Sequence, residues 1–413
     1  TMTINNEHKK LNVPNLRFPE FQGEWEEYKL EDITAEIGDG IHATPIYDDN
    51  GTFYFVNGNN ISEYGITITA TTQKVTAEEA LRNNASALNS YSILLSINGT
   101  IGNVALYKNE PIMLGKSACY INVSSNINRN YIFYYLMMPK CQFYFTSELT
   151  GTTIKNLSLK SVRKTKVLLP NANEQSKIAR LFDAINERIA TQNKIIDKLQ
   201  SLIKGMEDNL LDNPLWEKTY LRSFMQFFPT NSLSWEQLSY KEGAIRNLHY
   251  GLIHSFQTRG INSASLPMIK NEAVPKQYIL CQVGDVAFAD ASEDTGEIAK
   301  SVEFVDTIEG DTICGLHTIH GRDIKNRTVV GFKGFAFNSR YFHNQIKRLA
   351  QGTKVFSITA NNLSSCYVYL PDLETQKAIV NLLKTYEAKL LVSKRLLEHY
   401  EKQKQYLLRQ MFI

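Results

Sequence analysis

The feature that most constrains this chain is a repeat of its own sequence. The first copy reads Gly151-Thr152-Thr153-Ile154, Leu169-Pro170, Gln175-Ser176-Lys177. The second follows 201 residues later, without a gap, as Gly352-Thr353-Lys354-Val355, Leu370-Pro371, Gln376-Lys377. Upstream, Glu24-Trp25-Glu26-Glu27 matches Ser234-Trp235-Glu236-Gln237. Because internal repeats indicate repeated structural units, the sequence predicts two similar modules, each opened by a Trp and closed by a Leu-Pro.

After each Leu-Pro, apolar residues recur at helical spacing, which predicts two helices of about 35 residues. A lone helix about 50 Å long needs a partner to bury its apolar stripe, and matching polar breaks at Arg188, Gln192, Lys389 and Ser393 favour a mutual seam. We expect an antiparallel coiled coil with a pseudo-two-fold axis. The predicted seam consists of Ile178, Leu181, Ile185, Leu199, Leu202, Ile379, Leu382, Tyr386, Leu396 and Tyr400.

Between the helices the pattern changes to short β-rich runs with Gly and Asn turns, such as Tyr91–Leu95 and Tyr278–Leu280. The predicted fold class is therefore mixed α/β (α+β), with two globular modules separated by two long helices. The predicted boundaries are residues 1–170 for the first module, 171–210 for the first helix, 211–371 for the second module and 372–413 for the second helix. Leu210–Phe228 is interpreted as a packed connector.

Composition limits the class of protein without identifying it. The chain has 413 residues and a net charge of only +3, so charge alone does not indicate a nucleic-acid partner. It contains neither a run of about 18 apolar residues nor an apolar signal segment near residue 1, so we expect a cytoplasmic protein with no membrane partner. Five scattered cysteines without a C-x-x-C pair argue against a disulfide framework and a Cys-rich zinc site.

Three motifs could carry chemistry, and each has a simpler interpretation. Asn213-Pro214-Leu215-Trp216 lacks the second proline of an amino-methyltransferase motif and fits a helix-ending turn. Gly115-Lys116-Ser117 ends like a P-loop, but Glu110 occupies the position of the leading glycine. Cys314, His317 and His320 would not share one face of a strand, and no second ligand pair is obvious. We therefore expect neither a catalytic residue nor a metal ligand.

The repeat resembles the specificity subunits of type I restriction-modification systems over essentially the whole chain. The resemblance lies in the G-T-x-x segment, the Leu-Pro and the E-Q or T-Q helix start of each half. Segments similar to that family's target-recognition domains are Gly38–Pro45, Gly99–Gly102, Gly151–Leu157, Val283–Asp294 and Gly315–Ile319. The two modules resemble different branches of such domains, which implies two unlike half-sites.

The resemblance implies a non-catalytic subunit that recognises double-stranded DNA. Each module would read one half of a bipartite target, and the paired helices would bind two methyltransferase subunits, with two restriction subunits as optional partners. Readers on one face of B-DNA must lie about 34–36 Å apart to enter successive grooves, a distance that a rigid helix pair can fix. No cofactor is expected in this chain; its partners would use S-adenosylmethionine, and ATP with Mg²⁺ for restriction.

Polar residues in turns are the candidate DNA contacts. Asn and Arg can pair bidentately with base edges, whereas Lys and Thr more often contact phosphates. The candidates in the first module are His42, Thr44, Asn57, Asn59, Asn60, Ser96, Asn98, Lys116, Thr152, Thr153 and Lys155. Those in the second module are His249, Tyr250, His254, Lys270, Asn271, Ser292, His317, Arg340 and Lys354.

Two other functions remain open from the sequence. A protein-interaction scaffold with duplicated binding modules would show the same repeat, and salt-dependent binding to duplex DNA would distinguish a DNA reader from it. A self-contained modification enzyme would need a cofactor pocket, for which the sequence offers no motif.

Overall fold

A computed structural model describes residues 11–151, 155–256, 258–306, 308 and 310–413. The candidate contacts Thr152 and Thr153 lie outside the described residues. The chain divides into two compact units, one formed by Thr1–Thr191 with Leu397–Ile413 and the other by Gln192–Leu396. Within the described ranges, no helix has both the length and the hydropathy needed to cross a membrane.

The first unit is built from short strands and short helices, followed by the first long helix. Its strands are β1 Glu26–Lys29, β2 Thr34–Asp39, β3 Phe53–Val56, β4 Ile61–Ser62, β5 Gly65–Ile66, β6 Lys74–Val75, β7 Ser92–Ser96, β8 Val104–Leu106, β9 Ile112–Leu114, β10 Ala118–Val123 and β11 Lys166–Leu169. Its helices are α1 Ala77–Arg82, α2 Arg129–Met137, α3 Pro139–Ser147, α4 Leu159–Arg163 and the start of α5 Ala172–Leu210. The sheet orders are β2-β10-β7-β8, β6-β3-β9, β1-β11 and β4-β5.

The second unit uses the same kinds of element. Its strands are β12 Glu217–Tyr220, β13 Met225–Phe228, β14 Leu238–Ser239, β15 Arg246–Leu248, β16 Gly260–Ile261, β17 Met268–Ile269, β18 Val286–Ala289, β19 Ala291–Ser292, β20 Ser301–Phe304, β21 Thr312–Cys314, β22 Thr318–Asp323, β23 Phe356–Ser357 and β24 Tyr367–Leu370. Its helices are α6 Tyr250–Ser255, α7 Phe332–Ala336, α8 Arg340–Leu349, α9 Ala360–Ser365 and α10 Leu373–Gln410, which ends in the first unit. The sheet orders are β13-β22-β18-β20-β16, β14-β17-β15-β21, β12-β24 and β19-β23.

The topology confirms the predicted repeat. In each unit a four-strand core of matching order lies beside a smaller sheet with one parallel pair, β3 with β9 and β15 with β21. A two-stranded ribbon pairs Glu26 with Leu169 in the first unit and Glu217 with Leu370 in the second. The mixed α/β fold class, with two modules and two long helices, is therefore confirmed.

The ribbons correct two details of the sequence interpretation. The counterpart of Trp25 is Trp216, which directly precedes β12, and the match with Trp235 is wrong. The segment taken for a connector thus begins the second module. Tyr278–Leu280, predicted to be a strand, forms only a single bridge, between Leu280 and Ile313. The buried strand in this part of the chain is β18.

Each long helix begins with the same set of side-chain contacts. The Asn171 and Asp372 side chains cap the helices by accepting from Glu174 N and Thr375 N at 3.0 and 2.8 Å. The following glutamines, Gln175 and Gln376, are buried. Gln175 Nε2 donates to Pro170 O and its Oε1 accepts from Asn128 N. In the same way Gln376 donates to Pro371 O and accepts from Val329 N. Each glutamine thus fastens the start of its helix to its module.

In each unit, half of one long helix packs antiparallel to half of the other. In the first unit the rings of Phe182 and Phe412 pack against each other at a tilt, with centroids 5.6 Å apart, inside a core that also contains Ile178, Ile185 and Leu408. In the second unit Gln192 Nε2 donates to Ser393 O at 3.0 Å. The polar break at these two residues therefore lies in the seam, whereas Arg188 and Lys389 are exposed.

The seam differs from the prediction at three positions. Leu202, Leu382 and Leu396 are 39–41 % exposed, and their neighbours Ile203 and Leu383 are buried instead. The apolar stripe on each helix is wider than one seam needs, so spacing alone could not decide which residues face the partner helix.

A buried ion cluster lies between the helices of the second unit. Arg259 contacts Glu207 Oε1 at 2.8 Å and Glu387 Oε1 at 2.9 Å. The contact with Glu207 lacks hydrogen-bond geometry at Oε1, and burial raises the pKa of Glu207 to about 7 despite the attraction of Arg259. Burial also raises the pKa of Glu387.

The assignment of the seam predicts different losses of stability for two adjacent leucines. Leu383→Ala should lower the free energy of unfolding by about 2–5 kcal/mol, because it leaves a cavity in the buried seam. Leu382→Ala, the matched control, should change it by less than about 0.5 kcal/mol. Urea unfolding of both variants measures the difference, and equal losses would show that the seam is placed wrongly.

The ion cluster predicts that the second unit loses stability as the pH rises from about 4.5 to about 7. The pKa of Glu207 is about 7 in the folded protein against an ordinary value of 4.5, so the stabilisation is complete below pH 4.5 and is lost as the pH rises through 7, by up to about 3 kcal/mol. In urea unfolding between pH 5 and 8, Glu207→Gln should flatten this decline, and Glu374→Gln, an exposed control on α10, should not. A wild-type slope in Glu207→Gln would contradict the assignment.

Candidate nucleic-acid interface

In the first unit, three loops meet at one edge of the strands. The parallel strands β3 and β9 pair Val56 with Leu114, so the turns that follow them emerge side by side. The third loop follows β7 and runs from Ile97 to Thr100, where Ile97 N donates to Ser117 O at 3.0 Å. We call these three loops, Asn57–Asn60, Ile97–Thr100 and Gly115–Ser117, the reader loops of the first unit.

Hydrogen bonds between the reader loops fix their positions. Ser117 Oγ donates to Asn57 Oδ1 at 2.9 Å and accepts from Gly58 N at 2.8 Å. Thr100 Oγ1 donates to Gly58 O at 3.0 Å. A side chain at Gly115 would collide with Asn57 Oδ1, which lies 2.3 Å from the ideal Cβ position. The backbone at this edge is therefore rigid enough to present other side chains outward.

The predicted contacts of the first unit divide by accessibility. Asn59, Lys116, Lys155, His42 and Thr44 are exposed, and Asn98 is half-buried. His42 lies near the loops because Ile41 bridges Gly115, and Lys155 because Asn156 bridges Asn98. Ser96 is buried and bonds Thr100 O and Asn103 N, and Asn60 caps its own turn through Asn57 N. The last two residues thus shape the loops rather than face outward.

The second unit places equivalent loops at the same edge. β15 and β21 pair Leu248 with Cys314 in parallel, so His249–Tyr250 and Gly315–His317 follow them side by side. The loop after β18 begins at Asp290, whose backbone N donates to His317 O at 3.1 Å. These are the reader loops of the second unit.

Aromatic and imidazole rings pack together at the second set of loops, and the predicted contact His249 is buried within them rather than exposed. His249 lies between Trp235 and Tyr250, with ring centroids 4.5 and 4.7 Å away, and Tyr250 contacts His317 edge-on at 5.3 Å. Burial, and then the neighbouring His317, lower the pKa of His249. A neutral imidazole in the stack can accept a hydrogen bond, as His249 Nδ1 does from Gly251 N at 3.2 Å.

His317 is held in an uncommon backbone conformation. Its φ of 54° is positive, which costs a residue with a side chain roughly 1–2 kcal/mol. The Asp290 carboxylate binds His317 Nδ1 at 3.0 Å and keeps the half-exposed ring at the surface. Strain that is retained at an exposed ring in a loop is typical of a binding residue.

The other predicted contacts of the second unit are more scattered. Ser292 and Lys354 lie beside the reader loops, because β19 pairs with β23. Lys270 follows β17, and its backbone N bonds Gln237 O near the turn of Trp235, with Asn271 exposed beside it. His254 contacts Tyr250 at 6.3 Å but also lines a cleft with Arg340.

That cleft has a volume of about 770 Å³ and lies entirely in the second unit. Lys204, Lys300, Arg340, His343 and Lys394 are on its walls. Burial opposes ionisation of Glu297 at the same wall, but hydrogen bonds from Lys300 and His254 lower its pKa. These cations could contact backbone phosphates.

Sequence reasoning missed several residues of this interface. Ser117, Asp290 and Lys300 were not among the candidates, and Trp235 was taken for a module start. A usable signal was present, since Ile112-Met113-Leu114-Gly115 and Thr312-Ile313-Cys314-Gly315 are alike. Aligning these two segments would have equated Ser117 with His317.

The comparisons with known proteins agree with this arrangement. The family model for the type I restriction modification DNA specificity domain matches residues 22–201 and 262–401. A putative type I restriction enzyme MjaX specificity subunit from Methanocaldococcus jannaschii is 25 % identical over 96 % of this chain and 95 % of its own length. The MjaVIII specificity subunit of the same organism is 26 % identical over 66 % of this chain and 67 % of its own length.

Solved structures show the same fold. The type I restriction-modification S subunit from M. genitalium superposes with a TM-score of 0.60 at 15 % identity, covering 97 % of this chain and 99 % of its own. A chain from a structure of type I complex assembly gives 0.55 at 13 % identity, over 94 % and 97 %. Both the family match and the duplicated reader-loop scaffold lead to one conclusion: the chain belongs to the family of type I restriction-modification DNA specificity subunits.

Proposed function

We propose that this chain is the non-catalytic DNA reader of a type I restriction-modification complex, and that each unit reads one half of a bipartite target. The observation that carries the proposal is that both units present three loops at the same edge with different side chains. A common scaffold with unlike surfaces suits two different half-sites.

The chemistry of the two surfaces supports direct readout. The first unit offers amides and cations in Asn59, Asn98 and Lys116, which suit adenine edges, guanine edges or phosphates. The second offers His317, Tyr250 and Trp235, which can bond or stack. The cations of the cleft would add contacts to backbone phosphates, which position a reader without specifying sequence.

The long helices supply a second kind of surface. Leu382, Val392 and Leu396 on α10 are 39–62 % exposed, as are Ile195 and Leu202 on α5 at 41–42 %. All five lie in the second unit. An exposed apolar strip on a helix pair is typical of a protein interface, and we assign it to a methyltransferase subunit.

The complete assembly that we propose contains two methyltransferase subunits and, in a restricting complex, two restriction subunits. S-adenosylmethionine, and ATP with Mg²⁺, would be bound by those partners rather than by this chain. Such a complex acts on cellular and incoming DNA, so we place it in the cytoplasm.

DNA reading predicts that variants of the two units affect different half-sites. Asn59→Ala should relax one half of the methylated motif, and His317→Ala the other, because loss of a base contact costs about 1–3 kcal/mol of discrimination. Single-molecule methylome sequencing of the source cell, carrying each variant in place of the intact gene, detects the new motif.

The control is Lys166→Ala, an exposed lysine on β11 away from the reader loops, which should leave the motif unchanged. If deletion of the gene removes no methylated motif, or if both variants relax the same half, the assignment of one half-site to each unit is wrong. The scaffold alternative predicts no change in any variant.

The exposed strip predicts a separation of folding from assembly. Leu382→Asp with Leu396→Asp should abolish co-purification with the methyltransferase subunit while leaving the melting temperature of the isolated chain within a few degrees, because both side chains lie at the surface, 39–41 % exposed, and outside the buried cores. Asn381→Asp, which adds a charge at an exposed neighbour, is the control. Normal assembly of the double variant would place the methyltransferase elsewhere.

A further inference from the structure

Two thiols and an imidazole converge beneath the reader loops of the second unit. Cys281, Cys314 and His320 are all buried, and one ligand atom of each lies within 4.8 Å of the others. The two sulfur atoms are 3.6 Å apart. Their positions in the sequence, before β18, at the end of β21 and in β22, give no metal-binding spacing, so only the fold brings them together.

The separation of the sulfur atoms suits a tetrahedral zinc ion. With Zn–S bonds of about 2.3 Å, two thiolate ligands lie roughly 3.8 Å apart. The thiols therefore need to move only slightly to bind the ion. The sequence pattern groups Cys314 and His320 with His317, but His317 is exposed and pairs with Asp290. Cys281 takes its place in the cluster.

Asp285 supplies the outer support that a histidine ligand needs. Its Oδ2 lies 2.7 Å from His320 Nε2. Both carboxylate oxygens also accept from Arg322 at 2.7 Å, so the carboxylate is already occupied and orients the imidazole rather than binding an ion. A carboxylate that accepts from one ring nitrogen fixes the tautomer in which the other nitrogen can bind metal.

A buried polar group lies on the same face of β21 as Cys314. Thr312 and Cys314 alternate with Ile313 on β21, so they face the same side of the strand. Thr312 Oγ1 is buried, and among the described residues it has no hydrogen-bond partner. A water molecule on the ion could bond this hydroxyl.

We propose that Cys281, Cys314 and His320 bind one zinc ion, with Asp285 orienting the histidine and a water completing the tetrahedron. The ion would tie three segments of the second unit together directly below Gly315–Thr318. It would thus hold the second reader-loop set in place. The inference concerns the metal content of the chain and does not depend on its DNA target.

Metal analysis of the full-length protein, purified without chelator, tests the site. We expect about one zinc per chain in the wild type, and less than about a tenth of that in Cys314→Ser and in His320→Gln. Cys366→Ser changes a buried cysteine of the same unit outside the cluster and should retain the zinc.

Cobalt binding tests the site in the wild-type protein, so its result does not depend on whether a variant folds. Wild-type protein stripped with a zinc chelator should bind one Co²⁺ with a thiolate-to-cobalt charge-transfer band, and added Zn²⁺ should displace it. Chelation should also lower the melting temperature of the wild type, and Zn²⁺ should restore it. Circular dichroism verifies the fold of each variant.

Three results would overturn the proposal: wild-type protein without zinc that gives no thiolate band with Co²⁺, zinc retained in Cys314→Ser, or a Cys281–Cys314 disulfide found by mass spectrometry. A metal-free protein that still directs methylation would refute the zinc site and leave the DNA-reading function intact. If the protein contains zinc but deletion of its gene changes no methylated motif, the DNA-reading function is refuted and the zinc site stands.

Discussion

The buried amide at the start of each long helix is the contact on which both modules depend. A helix of 38 or 39 residues is amphipathic along its length, and it gains stability mainly by packing rather than from its own propensity. Gln175 and Gln376 each donate to the carbonyl of the proline that follows the module ribbon and accept from a backbone N–H of the module. Removing either amide would leave buried backbone groups unpaired, so the glutamine couples the direction of the helix to the fold of the module.

The two modules share the same strand framework and differ in the reader loops at its edge. Strand order, the parallel pair and the ribbon register recur in both units, and all of them are set by buried apolar residues and backbone bonds. The reader loops do not contribute to the buried cores or the strand pairing, so their residues can differ between the units. Asn57 and Ser117 in the first unit correspond to His249 and His317 in the second. Each set is nevertheless cross-linked, by the Ser117 hydroxyl in the first and by the Asp290 carboxylate in the second. Loops that must present side chains precisely have to be fixed by such bonds rather than by core packing.

The sequence predicted the features that depend on local pattern. The long helices and the β7 strand follow from spacing and residue type. It failed where tertiary contacts determine the structure. Helix spacing alone could not show which of Leu382 and Leu383 is buried. A Trp-Glu match, made without knowledge of the strand register, paired Trp25 with Trp235 instead of Trp216. Cys281 was missed for the same reason, because 33 residues separate it from Cys314 and only the bridge between Leu280 and Ile313 makes them neighbours.

Charge illustrates how a whole-chain quantity can hide a local one. The net charge of +3 gives little indication of a polyanionic partner, because carboxylates are distributed through the same units. Several of those carboxylates have structural partners: Glu174 holds Arg17, Glu303 holds the buried Lys333, and Asp285 holds Arg322 and His320. Lys116, Lys155 and Lys354 at the reader loops are exposed. Neutralisation of phosphates by exposed cations contributes to nucleic-acid affinity, so these three lysines bear on DNA binding more directly than the net charge of the whole chain does.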